Sequence, residues 1–267
     1  MDLGLKGRVA LVTGASRGLG YSVARELAAE GCDLHIAARD AARLDEVAAE
    51  LRAAHGVAVT VHVVDLAERG AAERLAAAVG DIGVLVNNAG AIPRGNVLEI
   101  DGDAWRASWE VKVFGYIDLT RAILPGMMAR GKGVIVNVVG VAGERADPNY
   151  VATCAGNAAL IMFTNCVASQ AAARNVRVVS VNPGPVMSDR FMSGVKRRAK
   201  QRFGDPDRWQ EILDDYPMHR AGEPGEVSAA VAFLASDRAS FIAGAGLRID
   251  GAVGVADPYP LDTKKAR

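Results

Sequence analysis

Three glycines and a threonine near the start of the chain are spaced to hold an anion. Thr13-Gly14-Ala15-Ser16-Arg17-Gly18-Leu19-Gly20 follows an apolar, strand-like run and opens an Ala-rich helical one. Glycines at 14, 18 and 20 let the backbone turn tightly and carry its N–H groups up to a pyrophosphate, at the positive end of a helix. A glycine-rich run can also be a plain turn; its place between a strand and a helix is what favours a nucleotide. A second group, Glu144, Arg145, Asp147 and Asn149, stands after the fifth strand-like run. Loops at strand ends carry the chemistry of open α/β sheets, so an acid here is a candidate for proton transfer, and otherwise a solvated charge. His35, His55, His62 and His219 have no metal-ligand spacing, and neither do Cys32, Cys154 and Cys166. No metal is expected, and the cysteines read as reduced, mostly buried small hydrophobes.

Strand-length apolar runs alternate with helical patterns, the rhythm of a parallel sheet. Strands are expected at 8–13, 33–38, 57–64, 83–87, 134–139, 176–181 and 246–249, and their near-continuous Val, Ile and Leu suits burial on both faces. Helices are expected at 18–30, 41–54, 67–79, 104–129, 155–173 and 224–235, with Asp40 as the N-cap of the second. The polar stretch 188–220 breaks the alternation and reads as a lid over a substrate or a solvated helix pair. Residues 255–267 read as an extended tail. With 267 residues and no repeat or linker, the chain reads as one domain.

Composition excludes some partners. Thirty-one basic residues balance 31 acidic ones, so no global field draws nucleic acid or an anionic membrane. Apolar stretches read as broken before the roughly 20 residues that a spanning helix needs. The first residues carry no cleavage site, and a cytoplasmic location is the expectation.

The chain resembles the short-chain dehydrogenase/reductase family over nearly its whole length. The family's T-G-x-x-x-G-x-G is complete at Thr13–Gly20, and its N-N-A-G at Asn87-Asn88-Ala89-Gly90. Its P-G element stands in Asn182-Pro183-Gly184-Pro185-Val186-Met187-Ser188, and its D-G in Asp250-Gly251. The resemblance implies a single-domain Rossmann fold, a doubly wound seven-stranded parallel sheet with helices on both faces. It also implies a nicotinamide cofactor held by Gly14, Ser16, Arg17, Gly18, Leu19 and Gly20. Asp65 and Leu66 would meet the adenine, and Asn88, Ala89 and Gly90 the ribose side. Pro183, Gly184, Val186 and Ser188 would meet the nicotinamide end. Family members that use NAD place an acid after the second strand; here Ala38-Arg39 stands there. Arg17 and Arg39 could clamp a 2′-phosphate, so NADP is expected over NAD.

The catalytic set of the family is an Asn, a Ser, a Tyr and a Lys, and here the resemblance fails. Lys112 stands at the Asn position and Gly140 at the Ser position. An ungapped register puts Thr153 at the Tyr position and Asn157 at the Lys position. The alternative register uses Tyr150, which needs three extra residues in the following helix and rotates its face by about 300°; Cys154 then stands at the Lys position. Neither register retains the Lys. Tyr150 lies one helical turn before Thr153 and could reach the same cleft, with Lys112 supplying the missing ammonium from the neighbouring helix. Tyr150 could equally point to solvent and Lys112 snorkel from an apolar helix. Three readings follow: an NADPH-linked oxidoreductase acting on a small carbonyl or alcohol, an NADP(H)-binding sensor or assembly subunit, and a non-redox lyase or dehydratase. A small-molecule substrate and a homodimer or homotetramer are expected, without nucleic acid or membrane.

Overall fold

The computed structural model describes residues 2–90 and 92–255. Its elements run β1 (Val9–Thr13), α1 (Gly18–Ala29), β2 (Asp33–Ala38), α2 (Ala41–His55), β3 (Val59–Val63), α3 (Ala71–Val79) and β4 (Val84–Asn87). There follow α4 (Gly102–Trp109), α5 (Gly115–Arg130), β5 (Gly133–Val138), α6 (Val151–Ala172), β6 (Val176–Pro183), α7 (Asp189–Phe203), α8 (Gln210–Leu213), α9 (Pro224–Ala235) and β7 (Gly246–Ile249). The sheet has seven strands in the order β3-β2-β1-β4-β5-β6-β7, all pairs parallel. This is the expected Rossmann fold, doubly wound, with its topological switch between β1 and β4.

Period-two alternation builds two cores from the same strands. Ala10, Val12, Val84, Val86, Val134 and Val136 face one layer, where α1, α2 and α9 pack. Leu11, Leu85, Ile135 and Val178 face the other, against α3, α5 and α6. Asp40 caps α2 as expected, its carboxylate accepting from the Arg43 N–H at 3.1 Å.

Four local expectations change. The helix expected at 104–129 is split by a π-helical turn, Glu110–Phe114, between α4 and α5. The helix expected from 155 begins at Val151, directly after Tyr150. That helix, α6, carries no charge in its 22 residues and has a mean hydropathy of 1.5, long and apolar enough by length and composition to cross a membrane. The expectation that every apolar run is broken was therefore wrong at α6, because Asn and Thr interrupt it without lowering its hydropathy enough. Here Leu160, Thr164, Ala168 and Ala171 are buried. Of the cysteines only Cys32 is buried; Cys154 is intermediate and Cys166 exposed. The tail expected at 255–267 lies, from 256 on, outside the described residues.

A buried polar chain locks the two central strands to the helices behind them. Asn87 donates to the Asn137 side-chain oxygen at 2.9 Å and to the Thr120 hydroxyl at 3.3 Å. Asn137 donates to the Thr164 hydroxyl at 2.9 Å, and Thr164 to the Leu160 carbonyl at 2.7 Å. All four side chains that make it are 0–1% exposed. Replacing one buried member strands its neighbours, at roughly 1–3 kcal/mol per orphaned group. Asn137→Leu is expected to lower the urea midpoint by about 2–4 kcal/mol of stability at unchanged m-value; an unchanged midpoint would show that the chain adds nothing.

Candidate active site

The glycine turn is fastened to the end of β4 through Thr13. Its hydroxyl accepts from the backbone N–H of Asn88 at 2.9 Å and of Ala89 at 3.1 Å. The Asn88 amide donates back to the Thr13 carbonyl at 2.9 Å. Gly20 sits so close that a Cβ there would fall 2.2 Å from the Gly14 carbonyl oxygen and 2.4 Å from the Asn88 amide nitrogen. At Gly18, by contrast, φ is +59° and a Cβ would meet open space. The first turn of α1 has neither a side-chain cap nor an acidic residue. Free N–H groups under an open cradle fit a pyrophosphate, so the residues present suit a dinucleotide.

The adenosine end is basic. Arg17 is exposed at the N-terminus of α1. Arg39 is 3.6 Å from Asp65, its side chain 71% exposed, so its guanidinium is held only loosely. Arg39 lines a cavity of about 730 Å³ whose walls also include His62, Asp65 and Glu68. Arg43 joins them: its Nε donates to the Ser16 carbonyl at 3.3 Å. The sequence reading passed over Arg43, although its place in the first turn after β2 was a readable signal. Asp65 also accepts from the Ala67 N–H at 3.0 Å, and Leu66 packs toward Gly115. In the same corner His35 and His62 share a 2.8 Å nitrogen–nitrogen contact, and burial lowers the pKa of both. Among the described residues no group of three His, Cys, Asp or Glu could hold a metal.

At the other end, two side chains hold the end of β5. The Lys112 ammonium donates to the Val139 carbonyl at 2.7 Å, and the buried Tyr116 hydroxyl to the Val138 carbonyl at 2.9 Å. The π-turn that carries Lys112 presses its stem on Gly90, where a Cβ would lie 2.6 Å from the Lys112 Cβ. Burial, then the positive charge of Arg190, pulls the Lys112 pKa down to about 7. Such π-turns recur at functional sites, and an amine that titrates near neutrality is suited to proton transfer.

Tyr150 is the N-terminal boundary of α6 and stands between two guanidinium groups. Arg190 donates to its hydroxyl at 3.2 Å and also to the Ile92 carbonyl. Arg94 lies over its ring, 4.7 Å from the centroid. Arg190 thus bonds Tyr150 and lies near enough to Lys112 for its charge to act there. The sequence reading missed Arg94 and Arg190, because they come from the segment after β4 and the start of α7, which only the fold brings together.

Gly140, Thr153 and Asn157 form one packed unit. Gly140 has φ +122°, and a Cβ there would fall 2.9 Å from the Asn157 amide nitrogen, which donates to the Gly140 carbonyl at 3.3 Å. Thr153 and Asn157 are 5% and 2% exposed, and the Thr153 hydroxyl and Asn157 side-chain oxygen have no partner among the described residues. Neither loop acid is free. Glu144 is bound by Arg248 and Asn182, and Asp147 lies 3.7 Å from Arg94. Ser188 caps α7, accepting from the Phe191 N–H at 3.2 Å. The neck of the 188–220 segment is closed by Met187 N–H to Gly222 and Gly222 N–H to Pro185, at 2.8 and 2.9 Å. Pro183 ends β6, and Gly184 packs on Asp250.

The bare backbone at Gly140 and the amide of Asn157 compete for one space. Gly140→Ser alone is expected to destabilise the fold by about 1–3 kcal/mol, from strain at positive φ and the clash with Asn157. Adding Asn157→Ala should recover the part due to the clash, as a double-mutant cycle in thermal melts would read; strict additivity would refute the coupling.

A family model described as short chain dehydrogenase matches residues 8–199. A galactitol 2-dehydrogenase (L-tagatose-forming) of Cereibacter sphaeroides is 37% identical over 92% of this chain and 95% of its own. A 2-keto-3-deoxy-L-fuconate dehydrogenase of Xanthomonas campestris is 33% identical over 92% of this chain and 80% of its own. The crystal structure of L-sorbose reductase from Gluconobacter frateurii, complexed with NADPH and L-sorbose, superposes with a TM-score of 0.90 at 31% identity, covering 96% of this chain and 100% of that one.

Proposed function

From the premise that the chain belongs to the short-chain dehydrogenase family, we propose that it is an NADPH-linked oxidoreductase of polyhydroxylated ketones and alcohols with an atypical catalytic set. The observation that carries this reading is the half-buried Lys112, titrating near neutrality on the wall where Tyr150 also stands. The substrate class is taken from the relatives, which act on a sugar alcohol, a keto sugar acid and a ketose. Thr13–Gly20 would hold the pyrophosphate, Asn88–Gly90 the ribose side, and Pro183–Ser188 the nicotinamide end. The bound cofactor would supply or accept a hydride at the substrate carbon. Residues 188–220 would close over the substrate as a lid, and the molecule would work as a homo-oligomer in the cytoplasm.

In this reading Gly140, Thr153 and Asn157 have lost the chemistry of their family positions, and Lys112 replaces it. In reduction the Lys112 ammonium gives a proton to the oxygen of the substrate carbonyl and is left as an amine; in oxidation the amine takes that proton back. Tyr150, fixed by Arg190 and Arg94, orients the oxygen.

The test is NADPH oxidation across a panel of ketoses and keto sugar acids. Because the Lys112 pKa is lowered to about 7, the acid form prevails below that pH. Reduction is therefore expected to slow tenfold per unit above about pH 7, and oxidation to slow below it. Lys112→Met should lower kcat by about 10²–10⁴-fold without weakening NADPH binding, and Tyr150→Phe by about tenfold. Turnover unchanged in Lys112→Met would remove Lys112 from the mechanism. NADPH binding with no turnover on any substrate would favour the sensor or assembly reading.

Cofactor choice is tested separately. Arg17, Arg39 and Arg43 are proposed to share the 2′-phosphate, since no carboxylate stands at the end of β2 to repel it. Arg39→Ala with Arg43→Ala is expected to raise the Kd for NADPH by about 10–100-fold and leave that for NADH within about twofold. Equal weakening of both cofactors would mean that the arginines only support the turn.

A further inference from the structure

We propose that Arg190, supported by Arg94, binds a carboxylate on the substrate, so that the preferred substrates are keto or hydroxy sugar acids, not neutral ketoses and polyols. The inference rests on the oxidoreductase reading for the chemistry, but not for the binding.

The argument starts from uncompensated charge. Three cations, Lys112, Arg94 and Arg190, come together at the mouth of the cleft from the π-turn, the segment after β4 and the start of α7. The positive charge of Arg190 contributes to lowering the Lys112 pKa, so the two cations are near enough to repel. The carboxylate nearest Arg94 is that of Asp147, at 3.7 Å. Glu144 is taken by Arg248 and Asn182, and Asp189, beside Arg190, makes no ion pair among the described residues. With Asp147 set against Arg94, the charge of Arg190 is left without a carboxylate partner among the described residues. Like charges held together without counterions cost stability unless a ligand offsets them.

The cofactor does not account for this charge. Its pyrophosphate would lie on the β1–α1 turn and its 2′-phosphate by Arg17, Arg39 and Arg43, all on the β1-β2-β3 side of the switch point. Arg94 and Arg190 follow β4 and β6, on the other side. The Arg190 hydrogen bonds all leave from one terminal nitrogen, to Ile92 and Tyr150. Its other terminal nitrogen and Nε have no partner among the described residues, and the residue is exposed. A guanidinium oriented by two acceptors, with one edge open, matches the two oxygens of a carboxylate. Tyr150 and Lys112, which face the reacting oxygen in the proposed mechanism, then sit between that oxygen and the acid group.

The test needs no turnover. The NADPH-loaded protein is titrated calorimetrically with four- to six-carbon aldonic acids and, in parallel, with the alditols that carry a hydroxymethyl in place of the carboxylate. Reduced cofactor with an already reduced ligand forms a dead-end complex. At least one acid is expected to bind about tenfold or more tightly than its alditol. Arg190→Gln should abolish that difference, weakening the acid far more than the alditol and leaving the NADPH affinity unchanged, and Arg94→Gln should reduce it. Arg190→Lys should keep part of it. In turnover, the keto acids should show the lower KM.

Three results would overturn the proposal: no acid in the series binds more tightly than its alditol, Arg190→Gln weakens acid and alditol alike, or a phosphorylated ketose outcompetes every acid. Tight aldonic acid binding together with no NADPH oxidation on any keto acid or ketose would sink the oxidoreductase reading and leave this one standing. Turnover of neutral ketoses without acid binding would do the reverse.

Discussion

The structure depends on the fastening of β1 to β4 through the hydroxyl of Thr13. In a parallel sheet with its switch between these strands, the chain leaves β1 for one face and β4 for the other, opening a crevice between them. Nothing in the ladder itself fixes the two strand ends beyond their last backbone pairs. The Thr13 hydroxyl accepts two N–H groups from the β4 end, and Asn88 returns a bond to the Thr13 carbonyl. The glycine turn and the segment 88–90 therefore move as one body. Lys112 is placed by the same body, because its stem rests on Gly90. Fastening the nucleotide cradle thus also fixes the depth of the amine in the cleft.

The second support runs through the carbonyls at the end of β5. Lys112 and Tyr116 each hold one of two successive carbonyls, at 139 and 138. An amine bound to a carbonyl in a half-buried setting keeps its place whether or not it carries a proton, since both forms can donate. That is the condition for a group that must exchange a proton without collapsing its surroundings. The π-turn follows from the same demand: its wider winding brings Lys112 over Gly90 while α4 and α5 keep their own packing. A regular helix through 110–114 would carry the side chain to another face.

The fold and the motifs that suit a nicotinamide cofactor were legible in the sequence because both are local. Val-rich runs, a glycine turn at Thr13–Gly20 and N-N-A-G at the end of β4 each declare themselves within ten residues. How Gly140 packs on Asn157 was not legible. Only the backbone shows that Gly140, at φ +122°, leaves room for the Asn157 amide and for no side chain of its own. The two ends of the 188–220 segment also gave no sign that they close on each other through Gly222. Helix boundaries at 151 and 110–114 escaped because Tyr150 does not advertise a cap and a π-turn has no residue signature.

Least legible was the charge at the mouth of the cleft, and there the reasoning changes kind. A balanced total of 31 and 31 says nothing about a cluster drawn from three distant segments. Once folded, the arginines divide into two sets on either side of the switch point. Arg17, Arg39 and Arg43 gather where a dinucleotide would present its adenosine phosphate. Arg94 and Arg190 gather where no part of the cofactor would bring an anion. Arg190 also adds to the effect of burial in lowering the pKa of the neighbouring amine. A bound carboxylate would offset the share of that shift due to Arg190 and leave the larger share due to burial, raising the Lys112 pKa in part. Binding of an acidic substrate would thereby load the amine with the proton that reduction consumes, which couples recognition of the substrate to the protonation state the reaction requires.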